Sequence, residues 1–309
     1  MLLVDQPVAG MTAATSSWPA GGRSLTSRMC DDACLSDPTS LQRAVGQLRV
    51  SFKQRDGLTV LDGLRQAGCL KARFPRAEVP GWAGVVALNS SGGIAGGDRL
   101  DASFLVRDGA RATIAAQAAE RFYGVMPGSV PAQVRTRMTV APGAAAEWLP
   151  QETILFDRCA VNRVLDVGLA DDSWFLGVEM LVFGRAAMGE QVEHAHLHDT
   201  IRVRRGGRLV LHDAIRLSGD VAAMLRRPAI GGGARAVATL VHAAPQAASM
   251  LDAVRDALAE APGECAASAW NGLLVARFLA SDGASLRAAV LAALHALRDG
   301  RPLPRVWCC

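Results

Sequence analysis

Two glutamates lie in stretches apolar enough to make a charge costly. In Trp174-Phe175-Leu176-Gly177-Val178-Glu179-Met180-Leu181-Val182-Phe183, Glu179 has apolar residues on both faces of what reads as a strand. In Leu149-Pro150-Gln151-Glu152-Thr153-Ile154-Leu155-Phe156-Asp157, Glu152 shares a face with Ile154 and Phe156. A carboxylate buried alone either keeps its proton at a raised pKa or demands a cation. Two readings follow: a site for a cationic ligand, or a structural ion pair with Arg158 or Arg185. Gly184-Arg185-Ala186-Ala187-Met188-Gly189-Glu190 places a further carboxylate, Glu190, at a glycine-flanked turn.

Glu193-His194-Ala195-His196-Leu197-His198-Asp199 offers different chemistry. On a strand, alternate side chains share a face about 6.5–7 Å apart. His194, His196 and His198 would then line up for a borderline ion such as Ni²⁺; the plain alternative is a solvated strand face. The densest signal is Asn89-Ser90-Ser91-Gly92-Gly93-Ile94-Ala95-Gly96-Gly97-Asp98. Gly92 and Gly93, then Gly96 and Gly97, permit positive φ and close backbone approach. Neither a helix nor a lysine follows, so a tight β-turn ending in Asp98 is favoured over an anion cradle.

Several common chemistries lack their minimal residues. The chain has no G-x-x-x-x-G-K-[ST], no G-x-G-x-x-G, no H-E-x-x-H and no G-x-S-x-G. Cys30 and Cys34 are spaced C-x-x-x-C, and Cys308-Cys309 has no nearby ligand partner, which makes a poor zinc site. One tyrosine, two lysines and no closely spaced acidic constellation leave little for a polysaccharide lyase or hydrolase.

The elements that must position these residues are mainly β. Short apolar or alternating runs at 84–88, 102–106, 112–116, 134–140, 174–183, 201–203 and 208–211 read as strands between Gly, Asp and Pro punctuation. Two helices are expected near the C-terminus. One has Ser249 and Asp252 as a capping box and closes at Pro262-Gly263; the other runs from about Ser285 to Arg298. With strands at 265–269 and 273–279 between them, a β body to about 244 and an αββα annex over about 245–300 are expected. Residues 1–44, rich in Ser, Gly, Ala, Thr and Asp, read as a poorly ordered leader.

Bulk properties narrow the setting. The chain has 309 residues, half of them hydrophobic, and a mean hydropathy of +0.19. No stretch reaches the roughly 18 apolar residues of a membrane span. So apolar a chain is expected to keep some apolar surface for a partner. A net charge of +4, carried by arginines scattered along the chain, is not the clustered basic footprint of a nucleic-acid binder. Seven cysteines without a secretory signal favour a reducing cytoplasm.

Taken together, the motifs resemble the UreD (UreH) family of urease accessory proteins. The matching pieces are the S-G-G-x-x-G-G-D-x-L core within Asn89 to Leu100, Gln117-Ala118-Ala119 with Phe122-Tyr123, and L-P-Q-E-T-I-L-F from Leu149 to Phe156. G-R-x-x-x-G-E from Gly184 to Glu190 and the closing Leu303-Pro304-Arg305-Val306-Trp307 complete the set, from about residue 45 to 307. The resemblance implies a stacked, β-helix-like body with two helices, forming one domain over 45–307. It implies a cytoplasmic, non-enzymatic chaperone that binds apo-urease and recruits UreF, which docks the GTPase UreG. No tightly bound cofactor is implied; nickel is in transit along an internal path. On matching motifs, Asp98, Glu179 and Glu190 are expected to line that path, with Glu120 and His194 next. Gly124, Glu120, His196 and His198 depart from the family pattern. Beside an enzyme on a β-helix-like body, a stand-alone metal-binding protein centred on the three histidines is the other alternative.

Overall fold

The computed structural model describes residues 42–185 and 188–308. Residues 1–41, and with them nearly all of the expected leader, lie outside the described residues. The strands to Asp220 are β1 (Val45–Arg55), β2 (Leu58–Gly68), β3 (Leu70–Arg73), β4 (Trp82–Asn89), β5 (Arg99–Val106), β6 (Arg111–Ala116), β7 (Glu120–Phe122) and β8 (Ala132–Val140). They continue as β9 (Ala145–Leu149), β10 (Thr153–Leu155), β11 (Ala160–Leu169), β12 (Trp174–Phe183), β13 (His194–Arg205) and β14 (Arg208–Asp220). Then come α1 (Val221–Arg226), β15 (Ala236–Ala243), α2 (Leu251–Leu258), β16 (Glu264–Trp270), β17 (Leu273–Ala280) and α3 (Gly283–Leu297).

From β4 to β13 the chain alternates between two sheets. In one, β1, β5, β8, β11 and β13 run parallel, with β2 and β14 added antiparallel at the edges. In the other, β4, β6, β9 and β12 run parallel: Trp82 pairs with Arg111, Arg111 with Ala145, and Ala145 with Trp174. Each circuit therefore adds one strand to each sheet, which is the stacked, β-helix-like body expected from the resemblance. A short third ladder, β7–β10–β12 with an Ile94–Phe122 bridge, closes one side. It stacks Ile94, Phe122, Leu155 and Phe183, all buried.

The period-2 pattern sorts side chains into two cores. Leu48, Val50 and Phe52 of β1 meet Val85, Ile114 and Phe175 between the sheets. β12 reads apolar on both faces because both are covered. Phe175, Leu181 and Phe183 enter the core between the sheets, while Leu176, Val178 and Met180 meet α2 and α3. The two strands expected in an αββα annex pair antiparallel with each other and, through β15, with β12. They extend the larger sheet, and α2 and α3 form a third layer over it.

α3 begins where Asp282 accepts the Ser285 N–H at 2.8 Å and buries Leu286, Val290, Leu294 and Leu297. The capping box expected at Ser249 does not form. A 3₁₀ turn over Ala247–Met250 precedes α2, and the Ser249 hydroxyl donates to the Gln246 carbonyl instead. α1, which the sequence reading lacked, is held by Asp220 accepting from the Ala223 N–H. No helix among the described residues is long and apolar enough to cross a membrane.

Candidate functional site

The two sheets part around a cavity of about 290 Å³. Its walls run from the exposed Gln117 and Ala118 inward past Glu120 and Trp148 to Thr153, Arg163 and Glu179. β12 turns Glu179 into the space between the sheets, where it is 7% exposed. Its partner is neither Arg158 nor Arg185. Arg163 of β11, on the facing sheet, reaches Glu179 Oε2 at 2.9 Å, and Trp148 Nε1 donates to Oε1 at 2.8 Å.

Arg163 is shared. In register with Asp199 of β13, it donates to both Asp199 oxygens, from Nε at 2.8 Å and from Nη2 at 2.6 Å. Nη1 also donates to the Thr153 hydroxyl at 2.8 Å. One guanidinium is thus shared by two buried carboxylates. Asp199 holds the bidentate position, so the excess falls on Glu179: burial pushes its carboxyl up, Arg163 pulls it back and Asp199 adds to the push. Burial also raises the Glu120 carboxyl, against the opposing bonds from the Arg121 N–H and the Asn89 amide. With all three acids ionised, the group carries two negative charges more than Arg163 offsets.

Asp98 and Glu190 lie elsewhere, in the turns that join successive coils. Asp98 is buried, but both its oxygens are occupied, by the Ala44 and Ala95 N–H groups at 2.8 Å each. The turn before it needs its glycines: Gly93 has φ of 148°, and a Cβ there would lie 2.3 Å from the Tyr123 ring. Tyr123 donates to the Gly92 carbonyl and meets Phe156 edge-on at 5.0 Å. Arg185 lies 4.2 Å above Phe156 and holds Glu190 at 2.7 Å. The Gly92, Tyr123, Phe156 and Arg185 segments, far apart in sequence, thus form one continuous column on successive coils. Glu190 ends it, held low by Arg185.

The histidine strand exists, as the outward positions of β13, but the three imidazoles do not converge. His196 contacts Asn162 Oδ1 at 3.3 Å, and His198 accepts from Arg216 Nε at 3.1 Å. A pleated strand keeps alternate side chains about 6.5–7 Å apart, too far for one ion to bind three of them at about 2.1 Å each. Among the described residues no three His, Cys, Asp or Glu groups gather closely enough to hold a metal ion.

A family model described as UreD urease accessory protein matches residues 44–308. The chain belongs to this UreD family. Relatives named urease accessory protein UreD match most of its length. That of Azorhizobium caulinodans is 43% identical over 266 residues, 86% of this chain and 97% of the relative. That of Rhizobium leguminosarum bv. viciae is 44% identical over 269 residues, 87% and 97% of the two chains. That of Methylobacterium sp. is 47% identical over 256 residues, 81% and 89%.

Two further charge clusters explain motifs of this UreD chain that composition left unread. Glu152, outside β10, takes Arg287 Nη1 of α3 at 2.8 Å, and the same nitrogen donates to Gln151. Arg287 Nη2 donates to the Trp307 carbonyl, and Trp307 Nε1 to the Leu149 carbonyl at 3.0 Å. The Leu-Pro-Gln-Glu segment and the closing Pro-Arg-Val-Trp segment are thus one knot tied by α3. The second is Glu147 of β9, fully buried. Arg298 grips it at 2.9 and 3.0 Å, Arg301 at 3.1 Å and the Thr113 hydroxyl at 2.7 Å. The only signal for Glu147 was an acid between Ala146 and Trp148 in a short apolar run.

Proposed function

We propose that the chain serves urease maturation as a non-enzymatic scaffold that binds apo-urease, recruits UreF and through it the GTPase UreG, and passes nickel through the cavity between its sheets. Membership in a family of urease accessory proteins supports the role, and a cytoplasmic setting goes with it. One observation carries the path: Glu120, Glu179 and Asp199 face a single buried arginine beside a cavity that runs from surface to interior. A cation entering there meets surplus carboxylate. It must also compete with Arg163 for Glu179, so its binding is weak, as transit requires. Glu120 and Glu179 are the residues proposed to touch the ion. Asp98 and Glu190 act in this reading by bracing the coil turns, and His194, His196 and His198 remain on the outer face of β13.

Urease activation reconstituted with nickel, UreE, UreF and UreG tests the scheme. Omitting the chain is expected to abolish most activation, and Glu179→Gln or Glu120→Gln to lower it several-fold while UreF binding persists. Because burial holds the Glu120 proton above the ordinary carboxyl value of 4.5, activation through it should rise with pH across that raised value. Glu120→Gln should flatten this part of the profile. Unchanged activation by both variants would remove the cavity from the path.

A further inference from the structure

We propose that the outer face of the seven-stranded sheet is a docking surface for an acidic protein partner. Arginines scattered along the sequence become neighbours there because the period-2 alternation and the strand register send them all outward. β1 and β2 contribute Arg49, Lys53 and Arg65; β5 and β8 contribute Arg99, Arg135 and Arg137. β13 and β14 add Arg202, Arg204 and Arg216. Against these nine cations stand four carboxylates, Asp62, Asp101, Asp166 and Asp220, an excess of five where the whole chain carries +4.

Asp62, Asp101 and Asp166 are already engaged, by Lys53 at 2.9 Å, by Arg137 at 3.1 Å and by Arg204, and Asp220 accepts from the Ala223 N–H at the start of α1. Among the described residues Arg49, Arg65, Arg99, Arg135, Arg202 and Arg216 have no carboxylate partner. Arg49 and Arg65 sit directly opposite each other on the antiparallel β1–β2 ladder. Like charges so placed destabilise a sheet, and an acidic surface laid over them would relieve that cost. A merely solvated face needs neither the excess nor the pairing.

The opposite side of the molecule is covered: α2 and α3 lie over the ten-stranded sheet. α1 sends Val221, Met224 and Leu225 into the core between the sheets, and no other described helix lies over the basic face. From β2 to β13 this face crosses six strands, about 24 Å, and about nine residues of strand length add about 30 Å. That is close to the roughly 800 Å² a partner contributes to a standard protein interface.

The chemistry favours a protein over a nucleic acid. No Phe, Tyr or Trp points outward from this sheet to stack on bases. Asp101 and Asp166 interrupt the basic rows beside Arg135 and Arg202, a mosaic that suits a surface of mixed sign better than an unbroken phosphate backbone.

The choice of probe rests on the function proposed above. Apo-urease and UreF, each purified, are presented separately to the full chain at about 50 and 200 mM salt. The unaltered chain is expected to bind the more acidic of the two through this face, more weakly at the higher salt. Arg49→Glu/Arg65→Glu/Arg135→Glu should weaken that binding at least tenfold, whereas the charge-matched Arg76→Glu/Arg226→Glu/Arg227→Glu should not. Arg49→Ala/Arg65→Ala guards against misfolding: it should raise the melting temperature while still weakening binding. Equal binding by the unaltered chain and both face variants overturns the docking surface and leaves the proposed function standing. Binding of neither protein by the unaltered chain overturns the proposed function itself. Duplex DNA or phosphatidylserine-vesicle binding that the face variants lose, with protein binding intact, also overturns the docking surface.

Discussion

Arg163→Met is expected to cost about 3–5 kcal/mol of folding stability at neutral pH, as removal of one partner from a buried charge cluster does. Asp199 and Glu179 would remain between the sheets with no cation, Thr153 would lose a donor, and only Trp148 would still satisfy Glu179. The loss should depend on pH in a defined direction. Without Arg163, nothing opposes the upward push of burial on the Glu179 carboxyl, whose folded pKa then stands further above the unfolded value, near pH 4. The variant is then most stable, relative to the unaltered chain, below about pH 4, and loses ground as pH rises through the raised value. Arg163→Met/Asp199→Asn/Glu179→Gln removes the stranded charges and should recover much of the difference. Urea unfolding at pH 4 and pH 8 measures all three; a single variant within about 1 kcal/mol of the unaltered chain at pH 8 refutes the account.

Glu147→Ala is the second large effect, again about 3–5 kcal/mol, but localised. Glu147 is the acceptor for Arg298 and Arg301, which connect the end of α3 to the sheet beneath it. Arg298 is 3% exposed in its side chain, and its other bonds, to the Arg301 and Pro302 carbonyls, stay inside the same tail. Arg301 keeps its place over the Trp82 ring at 4.1 Å, which softens the loss without replacing the charge. The amides of residues 283–308 should therefore exchange hydrogen faster, while those of β5, β8 and β11 keep their protection. Glu147→Gln retains an acceptor for Thr113 and should fall between the two. Uniform loosening of both sheets would show that the knot carries global rather than local stability.

The cavity reading and the ion-pair reading of Glu179 are not exclusive. The glutamate is paired, and it lines open space. An ion pair in a packed interior would be structural alone; beside a cavity with surplus carboxylate, the same pair would serve the proposed path as a gate that a cation opens by displacement.

Much of the molecule follows from sequence alone because it depends on local pattern. Alternation marked strands such as 134–140 and 174–183, the 3.6 period marked α3, and paired glycines marked the turn that Tyr123 packs against. The ordered motifs were sufficient to indicate the family. The tertiary structure decided which charges meet. β11 lacks a clear strand pattern in sequence because Arg163 breaks its inward apolar alternation, so the residue that anchors the cavity also masks the strand carrying it. Glu147 and Arg298 are 151 positions apart, and the basic face assembles from strands on successive coils. Such partners are set by register between strands tens of residues apart, and register is fixed by packing over whole coils, which no local window of residues contains.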